Sequence, residues 1–199
     1  MDKPFAAACE RNKAPILDVL RDLFADRRHV LEIGSGTGQH AVHFAAALPQ
    51  LQWQCSELAE NLPGLRLWLD EAALPNLPPP RVLDANQPLP AGPWDAVFSA
   101  NTLHIMGWAE VERLFAGLAQ CLPLHGLITV YGPFNRGGRF TSESNARFDA
   151  QLRSADARRG IRDLEAVDAL AAAAGLTLLE QRAMPAHNLC VSWRRTALR

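Results

Sequence analysis

The chain has 199 residues, a formal net charge of -1, and 48% hydrophobic against 21% charged residues. That length fits one domain, residues 1–199, with apolar surface enough for a core without covalent staples, and the even charge balance offers no basic face for nucleic acid. Cys9, Cys55, Cys121 and Cys190 form no C-x-x-C pair and no zinc spacing with the histidines, so they read as idle thiols in a reducing, cytoplasmic setting.

Residues 1–28 read as an N-terminal helical segment. Its first thirteen positions mix acidic and basic residues and lack the apolar stretch of a signal peptide. A helix is expected from Ala14, with Pro15 in its first turn and Ile16, Leu20, Leu23 and Phe24 on one face. His29–Ile33 is a short apolar run ending in glycine, a buried strand. A helix over Ala41–Leu48 stops at Pro49, Leu51–Ser56 alternates as a strand, and Leu62–Leu74 has a helical pattern. Arg81–Asp84 and Trp94–Ser99 are strands separated by proline-rich turns. Val111, Leu114, Phe115, Leu118 and Leu122 mark the next helix, and Gly126–Tyr131 the next strand. Residues 114–135 carry no Asp, Glu, Lys or Arg, but Pro123, His125 and Gly126 break the run into helix, turn and strand, so no membrane partner is expected. Residues 132–160 read as a polar insertion, a possible substrate lid, with a short helix near 144–153. A last helix over 164–174 is capped by Gly175, and strands 177–184 and 188–194 form a hairpin about Pro185. Alternating strands and helices imply an α/β fold with a parallel sheet covered on both faces, and the hairpin adds one antiparallel strand. Ligands in such sheets bind at the carboxyl ends of the strands, near the point where strand order reverses.

The first of those ends carries Glu32-Ile33-Gly34-Ser35-Gly36-Thr37-Gly38-Gln39. Glycines let the backbone take left-handed angles and approach a ligand. Gln39 breaks the G-x-G-x-x-G pattern of dinucleotide loops, which place a pyrophosphate on the helix N-terminus and want no carboxylate beside it. Glu32, two residues before the first glycine, suits a cation instead. S-adenosylmethionine has a sulfonium and an ammonium and no phosphate. Glu57, at the next strand end, is placed to accept both ribose hydroxyls, and Asp84, followed by Ala85 and Asn86, stands beside the base.

The segment Glu32–Gly38 resembles motif I of the class I, Rossmann-like methyltransferases that use S-adenosylmethionine. More narrowly, Glu10–Ile16, Ser35–Phe44, Ser99–Ile105, Tyr131–Phe134 and Gly160–Leu164 resemble the methyltransferase-like protein 26 family. The resemblance implies a seven-stranded, mostly parallel sheet and that cofactor, and leaves the acceptor open. It also implies that the N-terminal segment folds over the cofactor, with Arg11 and Asn12 near its carboxylate or the substrate. Gly34, Ser35, Gly36, Gly38, Gln39, His40, Ala100 and Asn101 complete the expected cofactor set.

Methyl transfer is an in-line displacement, so the protein mainly orients the nucleophile, with a base where the nucleophile must lose a proton. Asn101 and His104, after the fourth strand, and Tyr131, the only tyrosine, are the candidates for that role. Phe134, Arg139, Ser144, Asn145 and Asp149 are candidates for substrate contact, and Arg162-Asp163 for locking the insertion to the last helix, unless Asp163 is only an N-cap. Phe134 and Trp108 read chiefly as packing. His40 and His43 are three apart on one helix, but no third ligand accompanies them, so no metal is expected. The Asn-Pro-Pro-Tyr or Asp-Pro-Pro-Tyr motif of nucleic-acid amine methylation is absent after the fourth strand, which favours a small-molecule acceptor. A catalytically silent cofactor- or partner-binding protein is the alternative, and an NAD(P)-dependent oxidoreductase a more distant one. The oligomeric state is left open.

Overall fold

The computed structural model describes residues 2–197. Helix α1 (Ala7–Leu23) leads into β1 (His29–Ile33), α2 (Gln39–Ala47), β2 (Gln52–Glu57), α3 (Leu62–Ala72) and β3 (Arg81–Val82). Then come β4 (Ala96–Ala100), α4 (Trp108–Cys121), β5 (Leu127–Asn135), α5 (Glu143–Ala155), β6 (Arg162–Asp163), α6 (Leu164–Ala173), β7 (Leu176–Met184) and β8 (Asn188–Arg195). The strands lie in the order β3-β2-β1-β4-β5-β8-β7, with β6 pairing β5 off that path. β8 runs antiparallel to both its neighbours, and the other pairs of the path are parallel. The expected seven-stranded sheet is present, and the two-residue β6 is an eighth strand. Strand order reverses at β1 and β4, so their carboxyl ends flank the crevice where ligands of such sheets bind.

Alternation along the strands builds two cores. Val30, Trp53, Phe98 and Tyr131 face α1, α2 and α3, where Phe44 meets Phe98 edge-on at 5.5 Å. Leu31, Ile33, Val97, Ile128 and Trp193 face α4 and α6. Burial on both faces is why β1 and β4 read as continuous apolar runs rather than alternating ones. Among the described residues, no helix is long and apolar enough to cross a membrane.

Three elements differ from expectation. α1 begins at Ala7, so Pro15 lies inside the helix rather than in its first turn. Its ring removes one N–H and leaves the Arg11 carbonyl without an intrahelical partner. β3 ends at Val82, and both its residues are exposed. β5 runs on through Gly132–Asn135, because Gly132 and Pro133 pair with β8 and Phe134 and Asn135 pair with β6. The segment beyond the strand therefore starts at Arg136.

Candidate cofactor and active site

The glycine loop between β1 and α2 uses its three glycines differently. All three have positive φ: Gly34 +72°, Gly36 +55° and Gly38 +90°. A Cβ at Gly34 would lie 2.7 Å from Thr102, and one at Gly38 would lie 2.6 Å from Leu65, so those two let the loop pack against the β4–α4 connection and α3. A Cβ at Gly36 would meet nothing within 4 Å. The middle of the loop is open.

Glu57 closes one side of that opening. Its carboxylate accepts the N–H of Gly36 at 2.8 Å and of Leu58 at 2.9 Å, and the Asn61 amide at 3.2 Å. Glu32 lies beneath the loop instead of facing the opening. It is 1% exposed, and one oxygen accepts from Ser35 Oγ at 2.9 Å and Trp53 Nε1 at 3.0 Å. Burial raises its pKa to about 7, against the pull of those hydrogen bonds. Because β3 is short, Asp84 stands on a turn two residues past the strand. It accepts from both the backbone and the side chain of Asn86 at 2.8 Å. Ala85 is buried, and Asn86 receives Arg113 at 2.5 Å.

The N-terminal segment is tied to the same loop. Gln39, expected to touch cofactor, instead accepts the Ala6 N–H at 2.6 Å and the Thr37 hydroxyl at 3.0 Å, and donates to Glu10 at 2.8 Å. Residues 3–6 continue as a strap on α3. Lys3 pairs with Glu71 at 2.7 Å and lies 3.7 Å over the Trp68 ring, whose Nε1 donates to the Pro4 carbonyl at 2.7 Å. His40 is buried, with Nε2 2.6 Å from Asn12 Oδ1. That oxygen only accepts, so Nε2 carries the proton and Nδ1 turns a lone pair to the Cys9 thiol at 3.9 Å. Burial depresses His40 to about 4 and keeps it neutral. Burial raises the Tyr131 phenol pKa, while hydrogen bonding to Asn12 and Asn188 and the charge of exposed Arg11 pull the other way.

Past β4, Ala100 is half-buried and Asn101 takes φ +57°, its N–H on the Tyr131 carbonyl at 2.8 Å. His104 is buried edge-on to Phe148 of α5 at 5.2 Å. Among the described residues, neither ring nitrogen of His104 has a hydrogen-bond partner in the protein. Burial, and then the charge of Arg162, hold its pKa at about 4. A Cβ at Gly132 would lie 3.8 Å from His104 Nδ1 and 3.9 Å from Asn101 Oδ1, so glycine keeps this corner clear of a larger side chain.

Arg162 ties the end of the 132–160 segment, at Arg158, to the loop before α4. It is buried and donates to the carbonyls of Leu103 at 3.1 Å, Arg158 at 3.0 Å and Met106, clamping the loop that carries His104. Asp163 makes no cap bond to α6, but accepts the Gly138 N–H at 2.6 Å and so ties the 136–139 turn down. Sequence reasoning missed Thr102, Phe148 and the target of Arg162. An arginine between apolar Ile161 and Leu164 was the available signal for the last of these.

The five substrate candidates do not converge. Phe134 is 2% exposed and belongs to the α4–α6 core. Asp149 is buried, accepting the Ile161 N–H at 2.7 Å and Arg153 Nε at 2.6 Å, so it pins α5 to the chain before β6. Buried Asn145 donates to Thr141 Oγ1 at 2.9 Å and the His187 carbonyl at 3.5 Å. Arg139 and Ser144 are exposed. Of the cysteines, Cys55 and Cys190 are buried free thiols, and Cys9 and Cys121 are half-buried ones.

A family model described as a protein of unknown function, DUF938, matches residues 3–195. The chain belongs to the DUF938 family. Solved structures similar to this DUF938 chain are methyltransferases. An O-methyltransferase family protein from Burkholderia thailandensis is 18% identical, with a TM-score of 0.80 over 96% of this chain and 58% of its own. Human N-acetylserotonin methyltransferase, in complex with SAM, is 15% identical, with a TM-score of 0.79 over 96% and 53%. An O-methyltransferase family 2 protein from Planctomyces limnophilus DSM 3776, in complex with apigenin, is 17% identical, with a TM-score of 0.75 over 92% and 62%. The DUF938 chain thus spans between 53% and 62% of the length of these structures. At these identities the likeness establishes the fold, the Rossmann-like methyltransferase fold.

Proposed function

We propose that this DUF938 chain is an S-adenosylmethionine-dependent methyltransferase acting on a small molecule. The observation that carries this reading is the pair Gly36 and Glu57: an exposed, left-handed glycine with open space at its Cβ position, whose N–H is held by a carboxylate at the end of the neighbouring strand. A carboxylate there is placed to accept the hydroxyls of a ribose. With Glu32 beneath the same loop, the residues fit a phosphate-free, cationic nucleotide cofactor. The solved neighbour bound to SAM supports the same choice.

Glu57 and the backbone of Gly34, Ser35, Gly36 and Gly38 would hold the nucleoside, with Asp84, Ala85 and Asn86 beside its base. Ala100 and Asn101, with Arg11 and Asn12 of the N-terminal helix, would border its amino-acid end. Gln39 and His40 act one step back, through the strap and Asn12. When bound, the cofactor supplies a methyl group activated by the sulfonium. His104 is neutral above about pH 4, with unpartnered ring nitrogens, so it can accept a proton from an acceptor held against Asn101. Phe148 packs edge-on against that imidazole, and Arg162 fixes its loop. The five motif segments further support placing the chain near the methyltransferase-like protein 26 group. Apigenin and N-acetylserotonin in the names of the solved neighbours support an acceptor of that size class.

Calorimetry with S-adenosylhomocysteine and with NADH tests the cofactor. The expected result is saturable binding of the first and none of the second, and no binding of S-adenosylhomocysteine at millimolar concentration overturns the reading. A tritiated-methyl assay on cell extract tests turnover. Label in the small-molecule fraction is expected. Label in RNA or protein alone overturns the acceptor class, and tight cofactor binding without label identifies a silent binder.

A further inference from the structure

A cavity of about 400 Å³ opens beyond the carboxyl end of β5, between the 136–141 segment and the turn joining β7 to β8. Its apolar lining includes Phe134, Met184 and Leu189. Phe134 lies two residues past Gly132 on the same face of β5, which places the cavity one strand step beyond the residue that faces His104 and Asn101. The Arg136 guanidinium and the His187 imidazole line it, and no carboxylate does. Asp163 of β6 and Glu165 of α6 approach the adjoining turn, where their carboxylates accept the N–H groups of Gly138 and Gly137. Arg136 uses one donor on Gln181 at 2.5 Å, which leaves the rest of its guanidinium for a ligand.

Two further observations show that these walls are held in place. The turn contains two consecutive non-glycine residues in the left-handed region, Ala186 at φ +57° and His187 at φ +58°. Each costs energy that the surrounding structure must offset, and such strain concentrates at ligand sites. Asn145 is buried between the two walls, with its amide on Thr141 from one side and on the His187 carbonyl from the other. Its role is therefore to set the width of the cavity.

We propose that this cavity is the acceptor pocket, and that it takes a small apolar molecule bearing a single anionic group, the anion on Arg136 and His187 and the apolar body against Phe134 and Met184. The acceptor role rests on the methyltransferase reading; the anion preference rests on the lining alone.

The full chain, saturated with S-adenosylhomocysteine, is titrated with 4-hydroxybenzoate and followed by ¹H–¹⁵N NMR, with neutral 4-hydroxybenzamide and cationic 4-hydroxybenzylamine as comparisons. The benzoate is expected to shift resonances of residues 134–141 and 184–189, and to bind about tenfold tighter than the amide, the worth of one charge-assisted hydrogen bond. Arg136→Gln is expected to remove that preference, and Ala183→Trp, at an exposed lining position, to block binding, with thermal melts confirming that both variants fold. Equal or tighter binding of the amide or the amine overturns the charge class. Shifts confined to other residues, or full binding by Ala183→Trp, overturn the pocket. Absence of any probe binding at ten millimolar, with S-adenosylhomocysteine bound, overturns the proposal and leaves the methyltransferase reading standing. Failure of S-adenosylhomocysteine itself to bind shows in the first titration and overturns that reading instead.

Discussion

Around Gly36, the hydrogen bonds that shape the site join the loop's own residues to the ends of β1 and β2, and they fall between residues 32 and 61. Around His104, the shaping groups come from β5, α5 and β6: Gly132, Phe148 and Arg162. The first region is a local loop whose backbone conformation is its function. The second is an assembly of side chains that exists only once distant elements have packed. A ligand at the first would meet backbone geometry fixed within the loop, whereas the second can be re-cut by a change in β5, α5 or β6.

The largest effect should come from blocking the open point of the loop. Gly36→Val fills space that is empty around a Cβ and places a β-branched residue at φ +55°. S-adenosylhomocysteine affinity should fall by at least about a thousandfold, of order 4 kcal/mol by calorimetry, with a smaller loss of stability, about 1–2 kcal/mol. Unchanged affinity would place the ligand elsewhere and break the comparison outright.

Next in size is Glu32, through pH. Its pKa is raised from 4.5 to about 7, so the folded chain keeps a proton that the unfolded chain releases in that window. The stability it contributes is complete below pH 4.5 and is lost as pH rises through 7. His40 and His104 are depressed from 6.5 to about 4, so their contribution is present above 6.5 and is lost as pH falls through 4. Glu32→Gln can keep the acceptor facing Ser35 and Trp53 while removing the ionisation. Urea melts should match wild type below pH 4.5 and exceed it at pH 8 by on the order of 3 kcal/mol. A variant weaker than wild type at pH 8 would mean that Glu32 is stabilised as an anion in the folded chain.

Asp149→Ala probes the assembled region. It leaves the buried Ile161 N–H unpaired and frees α5 from β6, so stability should drop by about 2 kcal/mol. Affinity for S-adenosylhomocysteine should stay within about threefold, because the two regions share no side chain here. A large loss of affinity would show the regions to be coupled. The smallest effect expected is that of Glu57→Gln, about tenfold in affinity, since the amide still accepts one hydroxyl. A loss as large as that of Gly36→Val would mean that Glu57 governs the loop conformation as well as the ligand.

The same contrast explains what could be read from the residues. Glu32 to Glu57 is legible because strand, turn and helix follow one another and the spacing itself carries the meaning. The apolar stripes of α4 and α6 are legible for the same reason. Asn145 and Asp149 read as candidates for substrate contact, because their partners, His187 and Ile161, are 42 and 12 residues away, and nothing local distinguishes a wall tie from a ligand contact. β5 overran its expected end because Gly132 and Pro133 look like a turn until β8 lies beside them. Pro15 signalled a helix start that Gln39, 24 positions on, overrides by fixing Ala6 and Glu10 against α2.

Tyr131 is the sole tyrosine of the chain, and the titration of its phenol is sensitive to Asn12 and Arg11 of α1. Every tyrosine signal of the unmodified chain therefore originates at one ring. Its phenolate absorbance band and its single labelled ring resonance report, without any introduced probe, whether α1 is seated against the middle of β5. Displacing that helix by ligand, by acid or by trimming the strap at Lys3–Ala6 becomes a one-peak spectroscopic measurement.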